Sequence, residues 1–164
     1  MKKALLVKII LISLCLILCS CRSSPPYSVL RSSFRCEVSW NYGGEEFRAS
    51  VSVDEPSDSS RGFFMRMTYP RELSGLWIEQ SSAGACLYMN GKVIGEPPRH
   101  YISAADSLLS VGSFDYLCSA DLGGTKAHCY TSESSRWYFS ASDGRPLRVE
   151  NSEITLDILW IEPS

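Results

Sequence analysis

The side chains best suited to chemistry in this 164-residue chain are its seven cysteines and two histidines. The cysteines stand at positions 15, 19, 21, 36, 86, 118 and 129, and the histidines at 100 and 128. A thiol acts as nucleophile, metal ligand or half of a disulfide, according to its neighbours and its redox compartment. The spacings contain no paired Cys-x-x-Cys motifs, and only His100 and His128 are available to complete a set, so no metal site is expected. No Gly-x-Ser-x-Gly, His-Glu-x-x-His or phosphate-cradling glycine loop is present. Glu45-Glu46 and Asp54-Glu55 lie in or beside turns, where solvated charge explains them. The chain is therefore expected to be no enzyme and to use no cofactor.

Cys21 differs from the other cysteines in what precedes it. Lys2, Lys3 and Lys8 make a positive start, and Ile9 to Leu18 is a ten-residue apolar stretch broken only by Ser13. A permanent membrane span needs roughly 20 apolar residues, so this core has the length of a signal segment. The order Leu18-Cys19-Ser20-Cys21, followed by Arg22-Ser23-Ser24-Pro25-Pro26, resembles a bacterial lipoprotein signal ending in a lipobox. Leu18 takes the aliphatic position and Ser20 the small one, while Cys19 departs mildly from the small residue usual before it. The resemblance implies that the Cys21 thiol carries a diacylglyceryl group and becomes the new N-terminus after cleavage. Two or three acyl chains, at ~0.8 kcal/mol per buried methylene, hold a protein stably to a membrane. The expected organisation is a signal peptide over 1–20, a lipidated tether over 21–32 and one folded domain over 33–164. The expected location is extracytoplasmic, lipid-anchored to the cell membrane, or to the outer membrane in a Gram-negative host.

Three of the 16 basic residues fall in the signal, so the remainder carries 13 against 18 acidic ones. A net acidic domain excludes nucleic acid as a natural partner and leaves membrane attachment to the acyl chains. Processing would also leave Cys36, Cys86, Cys118 and Cys129 beside the lipidated cysteine. Two disulfides are possible outside the cytoplasm, as is a set of small buried hydrophobes.

The elements that must position these residues are mostly strands. Phe34, Cys36, Val38 and Trp40 alternate with polar residues, and so do Phe47, Ala49, Val51 and Val53 across the turn at Asn41 to Gly44. Phe63, Met65, Met67 and Tyr69 begin a third strand that Pro70 stops. Asn90-Gly91 is the strongest hairpin turn, since both residues tolerate positive φ. After Pro97-Pro98, Tyr101, Ala105, Leu108 and Leu109 recur at helical spacing, predicting a helix from about Arg99 to Val111 that either stops at Gly112 or continues with a flaw to about Leu117. Beyond Gly123-Gly124 the strands resume: Trp137, Phe139 and Ala141 share one side, as do Ile154, Leu156, Ile158 and Trp160. If Leu117 to Leu122 is instead a strand, Gly123-Gly124 makes a two-residue hairpin and sets Cys118 opposite Cys129, the most plausible disulfide pair. The predicted fold is mainly β, about eight to ten antiparallel strands in a curved half-barrel that wraps one main helix. A β-sandwich with an inserted helix is the alternative.

Pro70-Arg71-Glu72-Leu73-Ser74-Gly75-Leu76, the strand pair at Asn90-Gly91, the helix after Pro98 and the ending Gly144-Arg145-Pro146-Leu147 with its alternating last strand carry a further resemblance. In pattern and order, from Ser33 to Ile161, the chain resembles the LolA/LolB-like lipoprotein carriers and receptors. That resemblance implies an apolar cavity between half-barrel and helix that accepts acyl chains or the lipid part of a lipoprotein. Trp40, Phe63, Met65, Met67, Trp77, Trp137 and Trp160 would line such a concave face, the methionines adapting to ligand shape. The same side chains would equally make a solid core, leaving a structural or protein-interaction module of the cell envelope.

Overall fold

The structure is a computed structural model and describes residues 28–54, 62–81 and 84–164. The signal segment, Cys21 and the first part of the tether lie outside the described residues. Eleven strands form one sheet: β1 (Phe34–Tyr42), β2 (Glu45–Val53), β3 (Phe63–Tyr69), β4 (Leu76–Ser81), β5 (Gly84–Met89), β6 (Lys92–Gly95), β7 (Asp115–Leu122), β8 (Thr125–Ser132), β9 (Ser135–Ser140), β10 (Pro146–Glu150) and β11 (Thr155–Pro163). Among the described residues one α-helix, α1 (Arg99–Leu109), joins β6 to β7. The spatial order β6-β5-β4-β3-β2-β1-β11-β10-β9-β8-β7 is two antiparallel meanders stitched along β1 and β11. The sheet is curved and does not close, since β6 and β7 each lack a second neighbour. The half-barrel expectation holds, and the sandwich does not.

The turns follow from local chemistry. Asn90-Gly91 and Gly123-Gly124 sit at positive φ (49° and 81°, 64° and 94°), the left-handed pair that matches strand twist in a two-residue hairpin. The helix starts after Pro97-Pro98, where proline's fixed φ suits a first turn, and ends at Leu109. Its predicted extension to Leu117 is a correction. Leu117 belongs to β7, which pairs with β8 through the Gly123-Gly124 turn, and it occupies a bulge between Tyr116 and Cys118. This hairpin raises the strand count to eleven.

Alternation places the core. Phe34, Cys36, Val38 and Trp40 of β1 pair across the sheet with Val53, Val51, Ala49 and Phe47 of β2, and all are buried. Met65 continues the row to Ile78, and Ile78 to Leu87. Trp137, Val149 and Leu156 extend the same inner face through β9, β10 and β11. Each such side chain withdrawn from water contributes ~1.5–3 kcal/mol, offset by the entropy of ordering the chain. From α1, Tyr101, Ala104, Ala105 and Leu108 enter this core.

Two irregularities move residues that alternation alone assigns inward. Between β1 and β11 the register slips after Val38↔Ile158 to Glu37↔Trp160, leaving Leu159 as the extra residue. The bulge reverses the phase: Ile161 pairs with buried Cys36, and Trp160 turns out beside Glu37. A similar slip between β2 and β3 pairs Tyr69 with Arg48, whose guanidinium lies 5.8 Å from the ring centre. Tyr69 is accordingly 46% exposed instead of buried with Met67.

Candidate ligand-binding face

Five of the seven proposed lining residues share the inner face: Trp40, Phe63, Met65, Met67 and Trp137 are all 3% exposed or less. Trp77 and Trp160 do not join them. On β4 the inner positions go to Leu76 and Ile78, so Trp77 stands on the outer face, stacked on Tyr88 at 5.2 Å between ring centres. Trp160 is 40% exposed and donates its indole N–H to Glu37 at 2.9 Å. Phe47, Phe139, Leu156 and Ile158 belong to the face as well. The alternation that marked their tryptophan neighbours marks them too.

The inner face is packed. Trp40 stacks on Phe47 at 5.6 Å and meets the edge of Tyr101 at 6.1 Å, which ties β1 and β2 to the helix. Trp137 stacks against Phe139 at 6.2 Å, and Phe114, just past the helix, packs edge-on to both at 5.9 and 5.6 Å. Unpartnered polar atoms break this apolar surface, His128 Nδ1 among them. The Nε1 of Trp40 and of Trp137 are buried without a hydrogen-bond partner. An unsatisfied buried donor costs ~1–3 kcal/mol, and native structures hold few of them.

The helix covers this face with mostly small side chains. Ser103, Ala104, Ala105 and Ser107 are buried, and Tyr101 and Leu108 are the only large residues of α1 that are fully so. Its remaining attachment is polar. The loop between β10 and β11 folds on Asn151, whose Oδ1 accepts from the backbone N–H groups of Glu153 (2.8 Å) and Ile154 (2.9 Å). Asn151 Nδ2 then donates to Ser107 Oγ at 2.7 Å. Glu153 accepts from both Arg99 and Ser103 of the helix. Hydrogen bonding to Arg99 and then to Ser103 holds the Glu153 carboxyl below its ordinary range. Asp106 is pushed the other way, by burial first and then by the Glu153 charge.

Open clefts run along both flanks of the helix. One, of about 680 Å³, lies toward β5 and β6 and is lined by Ala85, Val93, Gly95, Ile102 and Asp106. The other, of about 660 Å³, is lined by Arg99, Ser103, Asp106, Ser135, Asn151 and Glu153. Pro97, Ile102 and Asp106 border both.

The two histidines sit in separate aromatic surroundings. His100 is sandwiched by Tyr42 (4.2 Å) and Tyr101 (4.1 Å), and burial lowers its pKa. His128 pairs with Phe139, so it lies on the inner face, while Ala127 and Cys129 turn outward with Ser140 and Tyr138. His128 meets Tyr116 edge-on at 6.0 Å. Cys118 and Cys129 are direct cross-strand partners and are both free thiols. Among the described residues no cluster of three or more metal-ligating side chains occurs, and no helix is long and apolar enough to cross a membrane.

No protein-family model matches the chain, and no curated protein does. Among solved structures it is similar to MucB, with 12% identity over 88% of this chain and a TM-score of 0.43. The chain spans 60% of MucB's length. It is also similar to the LolA superfamily protein NE2245 from Nitrosomonas europaea (13% identity, 87% of this chain, 94% of that one, TM-score 0.46). A third is a putative outer membrane lipoprotein-sorting protein domain from Vibrio parahaemolyticus (11% identity, 80% and 85% coverage, TM-score 0.36). With scores this low, these neighbours lend nothing to the assignment of a ligand.

Proposed function

We propose that this protein is a non-enzymatic, extracytoplasmic lipoprotein, anchored through Cys21, that takes an acyl chain or similar apolar ligand between α1 and the inner face of its sheet. The observation that carries this reading is the pair of orphaned indole N–H groups at Trp40 and Trp137. They are donors in an otherwise apolar surface, and a carbonyl or ester oxygen on an acyl ligand would accept from them. Met65 and Met67 on the same face adapt to a flexible chain. A helix seated mainly on alanine and serine gives up less apolar contact on moving than one seated on leucines. The ligand belongs to the state in which the helix has shifted, and the flanking clefts are where it would enter.

The test uses the tryptophans as reporters. A W77F/W160F protein starting at Arg22 retains only the two inner indoles. Titration with a brominated fatty acid is expected to quench their fluorescence saturably, and Trp40→Phe or Trp137→Phe should remove part of the signal. Quenching that never saturates, or none, would count against ligand binding.

The second reading is a packed interaction module. It draws on the two unpaired edge strands, where Val93 and Ile94 on β6 and Tyr116 and Leu117 on β7 are 52–61% exposed. Silent inner tryptophans together with a partner crosslinked to β6 or β7 would favour it.

A further inference from the structure

The β7–β8 hairpin places one thiol directly against another. Cys118 and Cys129 are register partners, equidistant from the Gly123-Gly124 turn. Both Cα separations found between facing residues of an antiparallel pair, ~4.5 and ~5.5 Å, lie within disulfide range. Their surroundings differ. Cys118 is exposed, whereas Cys129 is 1% exposed beneath the edge strand, facing the outer surface beside Tyr138. Burial raises the Cys129 thiol's pKa, and the neighbouring Cys118 raises it further. The other described cysteines have no such neighbour in register: Cys36 pairs with Val51 and Ile161 in the core, and Cys86 with Glu79.

We propose that Cys118 and Cys129 form an ordered pair that closes to a disulfide and staples the edge strand β7 to the sheet. Cys118 is the attacking sulfur and Cys129 the resolving one. The Cys118 thiolate attacks one sulfur of an external disulfide, belonging to a thiol oxidase or to an oxidised small thiol. The other external sulfur leaves as a thiolate and takes up a proton. The Cys129 thiol then loses its proton to solvent and its sulfur attacks Cys118 Sγ, expelling the second external thiolate. Two protein S–H bonds are exchanged for one S–S bond, and the oxidant is reduced to two thiols. The device is independent of acyl-chain binding. It acts on β7, one of the two edges of an open sheet, and turns a strand bonded on one side into one that is also covalently held.

The experiment treats the purified full-length chain in detergent with oxidised glutathione, blocks free thiols by alkylation, and maps tryptic peptides without reduction. Linkage of peptide 100–126 to peptide 127–136, with a loss of two hydrogens, is the expected product. Cys86, exposed but with no cysteine in register, should be recovered alkylated or as a mixed disulfide with glutathione and not joined to Cys118 or Cys129, and Cys36, whose pKa burial raises to about 12, should alkylate only after denaturation. Cys129→Ser should accumulate the mixed disulfide at Cys118, whereas Cys118→Ser should leave Cys129 unreacted. In the closed form, amide exchange across 115–122 should slow about tenfold or more, with no change in β6. Unlinked peptides after oxidation, or a pairing of Cys118 with any other cysteine, would overturn the proposal. Exchange in β7 unchanged by closure would overturn its role as a staple.

Discussion

A tryptophan's face determines its energetic weight here. Trp137 is fully buried among Phe114 and Phe139, so Trp137→Ala should destabilise by ~3–5 kcal/mol through lost transfer energy and a residual cavity. Trp160 keeps an exposed ring and one bond to Glu37, so Trp160→Ala should cost less than ~1 kcal/mol. Urea denaturation of the two variants measures the contrast, and equal losses would contradict the bulge that separates them. The sequence pattern was sufficient to place Trp40, Phe63, Met65, Met67 and Trp137 on the inner face, because alternation holds up to each of them and the slip on β3 comes only after Met67. It was insufficient for Trp160, since one extra residue at Leu159 reverses every later side chain and leaves no mark in composition. Trp77 failed for a different reason: a short strand with Leu76 and Ile78 on one side and Trp77 on the other gives no apolar majority to choose by size alone.

At the scale of elements, the helix and the loop that holds it carry opposing charges effects. The Glu153 pKa is depressed by Arg99 and Ser103, so its contribution is present above the ordinary carboxylate range and fades as pH falls through its folded value. The Asp106 pKa is raised, so that group favours folding when protonated, and the benefit is lost as pH rises through its folded value. Glu153→Gln should therefore lower the melting temperature at pH 7, and Asp106→Asn should raise it. Both differences should shrink toward zero in acid, for Glu153 below its folded pKa and for Asp106 below its ordinary carboxylate pKa. Thermal melts from pH 3 to 7 read both signs. The helix start was legible from Pro97-Pro98, and its end was not. Phe114 and Leu117 continue an apolar spacing that a helix would use, but the pairing of β7 with β8 outweighs it. The Arg99–Glu153 ion pair was also illegible, because its partners are separated by 54 residues of sequence.

The whole molecule depends on one seam. β1 and β11 lie in the middle of the sheet, Phe34 opposite Pro163 and Trp40 opposite Leu156. Ser164 donates its backbone N–H to Ser33 at 3.1 Å. Deleting residues 155–164 should therefore abolish cooperative unfolding, leaving two meanders without a shared core. Circular dichroism melts would show it, and a retained sharp transition would mean that the halves are independent. The half-barrel itself was readable from the run of short alternating strands and a single helix, which cannot cover a flat sheet of this width.

That seam has a consequence for timing. Because β1 waits for β11, the residues from Phe34 to Pro163 must all be available before the central pairing is complete, and contacts of such sequence separation form slowly. A nascent chain emptied of its last strand therefore stays loose. Strand order alone sets the moment at which the sheet can be completed.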